Sequence, residues 1–182
     1  MAERVVPLRL AQIPNALTLA RFAAIPVFVA LLVTADEGHS WAAAILFGAA
    51  GITDQVDGWL ARRWRVESRF GTVADPLADR LMIDTAVIGL FLHGRLPWPA
   101  LVLILARDLV LIAGYKLVAP RGYELSVSFL GKAATWILYA ALAFMLATRD
   151  GTAFPFVLFW IGLAMALVAG AAYVAGALKG RA

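Results

Sequence analysis

Cysteine is absent from the 182 residues, and histidine occurs only twice. Without cysteine there is no disulfide framework, no thiolate nucleophile and no thiolate metal site. Charge is scarce as well: 15% of the residues are charged, and the acidic ones number 12. A soluble domain is usually about half apolar and about a quarter charged. Here 63% of the chain is hydrophobic and the mean hydropathy is +0.83, an excess that calls for an apolar solvent rather than a larger core. Composition therefore argues against disorder, collagen and a soluble enzyme. The net charge of +4 and pI of about 9.9 would invite a nucleic-acid reading in a soluble chain. In a membrane protein the same excess marks cytoplasmic loops, so no nucleic-acid partner is expected.

What the chain does have is long apolar runs. A membrane span needs about 20 apolar residues, and six candidates follow one another: Pro14–Thr34, Trp41–Leu60, Thr72–Leu92, Pro97–Val118, Phe129–Thr148 and Phe154–Leu178. They leave no room for a separate soluble domain, so residues 1–182 read as one all-α integral membrane domain. Arg21 interrupts the first run, and no small-residue cleavage site follows, which argues against a cleavable signal peptide. Arg4 and Arg9 alternate with Val5, Val6, Leu8, Leu10 and Ile13, the pattern of a short amphipathic helix lying on the membrane surface.

Basic residues give an orientation. Arg4, Arg9, Arg62, Arg63, Arg65, Arg69, Lys116, Arg121, Lys132, Lys179 and Arg181 fall on one set of loops and ends. The other set carries only Arg95 and Arg149. By the positive-inside rule both termini are expected in the cytoplasm.

Charges inside spans are costly and mark functional sites by default. In that orientation Arg21, Asp54, Asp57, Asp75, Asp79, Arg107, Asp108 and Lys132 fall mostly toward the cytoplasmic side, which predicts one polar cavity open to the cytoplasm. Asp54 and Asp57 are i, i+3 and Asp75 and Asp79 are i, i+4, so each pair shares a helix face. Four carboxylates in a low-dielectric cavity repel one another, and hard divalent cations relieve that repulsion through oxygen ligands. Zinc and copper are disfavoured, because cysteine is missing and His39 and His93 are expected on the opposite side. Carboxylates with Mg²⁺ or Mn²⁺ suit phosphoryl or pyrophosphoryl chemistry. Gly58, Ala61 and Gly71 allow close approach to the backbone, and Arg62 supplies a fork for phosphate oxygens. A buried structural network or a cation transporter would use the same carboxylates. Asp84, Trp98, Trp136, Trp160, Gly48 and Gly51 read more simply as packing or interface residues.

Residues 54–79, DQVDGWLARRWRVESRFGTVADPLAD, fit D-x2-D-G-x2-A-R-x8-G-x3-D-x3-D at all eight fixed positions. This resembles the signature of the CDP-alcohol phosphatidyltransferases, membrane enzymes that move a phosphatidyl group from a CDP-linked lipid to an alcohol. The resemblance implies six spans, cytoplasmic termini, a homodimer and the use of two Mg²⁺ or Mn²⁺ ions. It implies Asp54, Asp57, Asp75 and Asp79 as metal ligands, with Asp79 also the general base. Gly58, Gly71, Arg62 and Ser68 would receive the CDP-lipid, joined by Asn15 and Thr18 of the segment IPNALTLAR. The segments IPNALTLARFAAIPVFVALL and DPLADRLMID resemble the branch of phosphatidylglycerophosphate synthases and CDP-dependent cardiolipin synthases. That implies transfer from CDP-diacylglycerol to glycerol 3-phosphate, with Arg107, Lys132 and Arg80 as an anion pocket. Two positions depart from the synthase pattern: Asp108 stands where Glu is usual, and Ala134 where a second Lys is usual. The departures make phosphatidylglycerol, giving cardiolipin, the rival acceptor.

Overall fold

The computed structural model describes residues 13–64, 69–118 and 128–178, with side chains excepted at 13–15, 54–55, 57–64, 69–73, 112–118 and 177–178. The expected surface helix before residue 13 lies outside these residues, as does Ser68. The described chain is all helical: α1 (Ile13–Val33), α2 (Trp41–Trp64), α3 (Arg69–Leu92), α4 (Trp98–Val118), α5 (Phe129–Ala147) and α6 (Ala153–Leu178). Each corresponds to one of the six apolar runs. The segments Ala16–Val33, Phe129–Ala147 and Ala153–Gly176 are long and apolar enough to cross a membrane. The other three helices carry the acidic residues: Asp54 and Asp57 on α2, Asp75, Asp79 and Asp84 on α3, and Asp108, with Arg107, on α4.

Packing explains the arrangement. α1 lies against α2 and α3, α2 against α5, α4 against α3 and α6, and α5 pairs along its length with α6. The buried faces mix large residues (Phe28, Phe47, Met82, Leu138, Phe159) with Ala43, Ala78, Ala86, Ala100, Ala134, Ala141 and Ala166. Small residues let helix backbones approach, which matters in lipid, where the hydrophobic effect does not drive helices together. The outward faces are apolar too. Leu19, Val27, Ile45, Val102, Leu109, Phe144, Ile161 and Val168 are all exposed, as suits helices whose outer faces meet lipid.

One end of the bundle is tied down. The α1–α2, α3–α4 and α5–α6 connections meet there: the Ser40 amide donates to the Leu146 carbonyl at 2.9 Å. His39 bonds the Leu146 carbonyl at 3.2 Å and His93 the Leu32 carbonyl at 2.9 Å. Both histidines thus serve backbone carbonyls at the end away from Asp75 and Asp79. Ser128 opens α5, its hydroxyl accepting from the Gly131 amide at 3.1 Å.

Candidate active site

The site is built near the start of α3. Asp75 and Asp79 lie one helical turn apart on one face, and each takes a hydroxyl from a different helix. Thr18 of α1, wholly buried, donates to Asp75 Oδ1. Tyr139 of α5 donates to Asp79 Oδ1. Arg21 is also buried, one turn along α1 from Thr18, and its charge acts on Asp79 together with those of Arg80 and Asp108. Buried charges need such partners, since an isolated one would be expelled or neutralised. Pro76 falls between the two carboxylates and removes one amide from the α3 ladder.

α2 reaches the same depth. Gly51 packs on the ring of Tyr139, so close that a Cβ there would lie 2.8 Å from Tyr139 Cδ1. Asp54 follows in the next turn, and Asp57, Gly58 and Arg62 continue along the same helix. The side chains of Asn15, Asp54, Asp57 and Arg62, and the surroundings of Gly58 and Gly71, lie outside what the structure describes. Among the described residues, whose side chains include Asp75 and Asp79 but neither Asp54 nor Asp57, no three of His, Asp and Glu come together as a metal cage.

The expected acceptor pocket is only partly assembled. Arg80 Nη1 reaches across from α3 to the Asp108 carbonyl of α4 at 3.5 Å. Arg107 Nη1 donates to Asp108 Oδ1 at 2.7 Å, so its charge is already answered by its neighbour. Asp84 lies close enough to Asp108 for their charges to interact, and one oxygen of each is buried without a hydrogen-bond partner among the described residues. Lys132 is exposed in the first turn of α5 and makes no ion pair among the described residues.

Tyr139 is the residue that sequence reasoning missed. In TWILYAAL it reads as one more aromatic in an apolar span. The available signal is its spacing: it follows Lys132 by seven residues, two turns along one face.

Carboxylates held by hydroxyls from separate helices, at one end of a bundle with an apolar outer surface, define an all-helical protein of membrane type with its polar chemistry gathered at one end. Residues 11–168 match the family model described as CDP-alcohol phosphatidyltransferase, and the chain belongs to that family. It is a phosphatidyltransferase of phospholipid biosynthesis, and members of the family generally depend on a divalent metal. The chain is 35% identical over 176 residues to the "Probable phosphatidylglycerophosphate synthase" of Mycobacterium tuberculosis (strain CDC 1551 / Oshkosh), across 94% of this chain and 84% of that protein. It is 40% identical over 150 residues to the "Cardiolipin synthase (CMP-forming)" of Streptomyces coelicolor, across 79% and 68% respectively. To the "CDP-diacylglycerol--glycerol-3-phosphate 3-phosphatidyltransferase" of Escherichia coli K12 it is 37% identical over 139 residues, across 74% and 76%.

Proposed function

We propose that this single membrane domain transfers the phosphatidyl group of CDP-diacylglycerol to glycerol 3-phosphate, giving phosphatidylglycerophosphate and CMP. The observation that carries the reading is the α3 face, where Asp75 and Asp79 sit one turn apart with a hydroxyl bonded to each. The names of the mycobacterial and E. coli relatives support this acceptor. Six spans, a homodimer and cytoplasmic termini with a cytoplasmic-face site complete the proposal, the orientation supported by the basic loops.

The donor set fits the metal that the family uses. Asp54, Asp57, Asp75 and Asp79 offer hard oxygen ligands suited to two Mg²⁺ or Mn²⁺ ions. Thr18 and Tyr139 both bond Oδ1, and Oδ2 of Asp75 and Asp79 takes no hydrogen bond among the described residues. When bound, the ions neutralise the carboxylates and polarise the diphosphate.

The protein's own groups do the rest. Asp79 accepts the proton of the acceptor hydroxyl as that oxygen bonds to the phosphorus carrying diacylglycerol. The bond from this phosphorus to the CMP oxygen breaks, and CMP leaves. Arg62 and Ser68 hold the diphosphate, Gly58 and Gly71 admit the nucleotide, and Asn15 and Thr18 border it. Arg107, Lys132 and Arg80 receive the acceptor phosphate.

One observation favours a second acceptor. Arg107 is paired with Asp108, and Ala134 is wholly buried where a second cation would stand. Fewer free cations suit phosphatidylglycerol, with cardiolipin as product. An acceptor panel with purified protein, CDP-diacylglycerol and Mg²⁺, read by lipid product, separates the two. Phosphatidylglycerophosphate and CMP are expected from glycerol 3-phosphate, with turnover lost in EDTA and reduced at least about a hundredfold in Asp79→Asn. Cardiolipin from phosphatidylglycerol, with glycerol 3-phosphate inert, would reverse the acceptor assignment. No CMP from any acceptor would sink the transferase reading, and metal flux in vesicles would put a transporter in its place.

A further inference from the structure

Tyr139 is held from three sides. Its ring stacks on Phe47 of α2 with centroids 4.8 Å apart, and Phe47 in turn stacks on Phe28 of α1 at 5.5 Å. Gly51 lies against the same ring, one turn beyond Phe47 on α2, where any Cβ would come within 2.8 Å of Tyr139 Cδ1 and Cε1. The residue itself is buried, and its hydroxyl meets Asp79 Oδ1 across 60 residues of sequence. A hydroxyl needed only for packing would not require an aromatic stack and a glycine floor to fix its direction. A carboxylate on a helix, by contrast, has free χ rotation unless something holds it, and proton transfer requires it to stay within reach of one hydrogen.

We propose that Tyr139 is a positioning residue for Asp79. Its phenol donates to Oδ1, fixing the carboxylate plane so that Oδ2 faces the acceptor hydroxyl. Gly51 supports this by leaving room for the ring. The proposal rests on the reading of Asp79 as base, but adds a residue outside the eight-position pattern and a third helix, α5, to the site.

The test begins with Tyr139→Phe, which removes the hydroxyl and keeps the ring in its stack. We expect kcat to fall on the order of tenfold, the usual effect of removing a group that orients a catalytic ligand. KM for both substrates should stay at parent values, and the thermal midpoint in detergent should fall only by the small amount that one interhelical hydrogen bond contributes. The infrared carboxylate band that Asp79→Asn removes should shift in Tyr139→Phe, a readout independent of turnover. Gly51→Ala keeps the hydroxyl but displaces the ring, and should lower kcat similarly while adding no further loss in the Tyr139→Phe background. It carries the test if Tyr139→Phe does not fold. Parent kcat in Tyr139→Phe, a rise in KM with kcat unchanged, or full additivity with Gly51→Ala would each overturn the proposal. Failure of the underlying reading looks different: Asp79→Asn itself would retain turnover.

Discussion

Thr18 sits wholly buried on α1 with its hydroxyl on Asp75. A β-branched side chain is stiff at χ1, so the hydroxyl is aimed with little loss of freedom. The resemblance implies a place beside the nucleotide, and the structure adds a hydrogen bond to a carboxylate. Thr18→Val keeps the shape and removes the donor. Interhelical hydrogen bonds inside membranes average about 0.6 kcal/mol and reach about 1.7, so the loss in folding stability should be about 1 kcal/mol. Activity should fall further than stability, because Asp75 is then free to turn, whereas Thr18→Ser should restore most of both. Thermal midpoint and CMP release measured on the same preparations check this. A Thr18→Val protein with parent turnover would mean that Asp75 needs no such support.

At the scale of the elements, the bundle separates a tied end from a working end. Arg95, in the α3–α4 connection, is 7% exposed and donates to the Gly38 carbonyl at 3.3 Å and to the Met145 carbonyl. Asp150 lies 3.8 Å from its Nε. Burial pushes the guanidinium pKa below its ordinary value and Asp150 pulls it back up; it stays charged in either case. One side chain thereby joins three connections. Gly38 makes room for it, with φ of +71° and space that a Cβ would fill, 2.9 Å from Arg95 Cδ. Arg95→Met keeps much of the bulk and strands two carbonyls, at a cost of about 1–3 kcal/mol. The expected result is a lower thermal midpoint with kcat unchanged in the protein that remains folded, since Asp75 and Asp79 lie at the other end. A loss of kcat with stability intact would mean that the two ends are coupled.

Much of this was legible beforehand, for a physical reason. Span length and hydropathy locate helices well when lipid is the solvent, so Phe129–Thr148 was expected and Phe129–Ala147 is found. The acidic pattern is legible because its spacing is local: Asp75 and Asp79 must share a face. Tyr139 and Arg95 were not, because their meaning lies in partners 60 and 50 residues away. Periodicity along one helix carries no trace of which residue the neighbouring helix presents. Arg95 therefore counted as a loop charge and Tyr139 as an aromatic. Arg107 carries a related lesson: the resemblance implies a place in an anion pocket, and the structure shows it bonded to its neighbour Asp108 at 2.7 Å.

For the whole molecule, the odd distribution of charge has a consequence that can be measured directly. The α1–α2, α3–α4 and α5–α6 connections share one end; of the 16 basic residues, three lie in helix interiors (Arg21, Arg80 and Arg107), and of the other 13 only Arg95 and Arg149 belong to those connections. In the sequence the rest fall on the opposite set of loops and ends, and the positive-inside rule would put that side in the cytoplasm. The missing cysteines make the assignment easy to test, because any introduced thiol is the protein's sole label site. Thr152→Cys lies exposed in the α5–α6 connection, and Phe129→Cys lies exposed at the start of α5, at the opposite end of the same helix. In intact cells a membrane-impermeant maleimide should react with the first and reach the second only after permeabilisation. The reverse pattern would put the carboxylates on the outer face, away from a cytoplasmic supply of CDP-activated lipid and glycerol 3-phosphate. Labelling of both without permeabilisation would mean that α5 does not cross the membrane, and the six-span arrangement would fall with it.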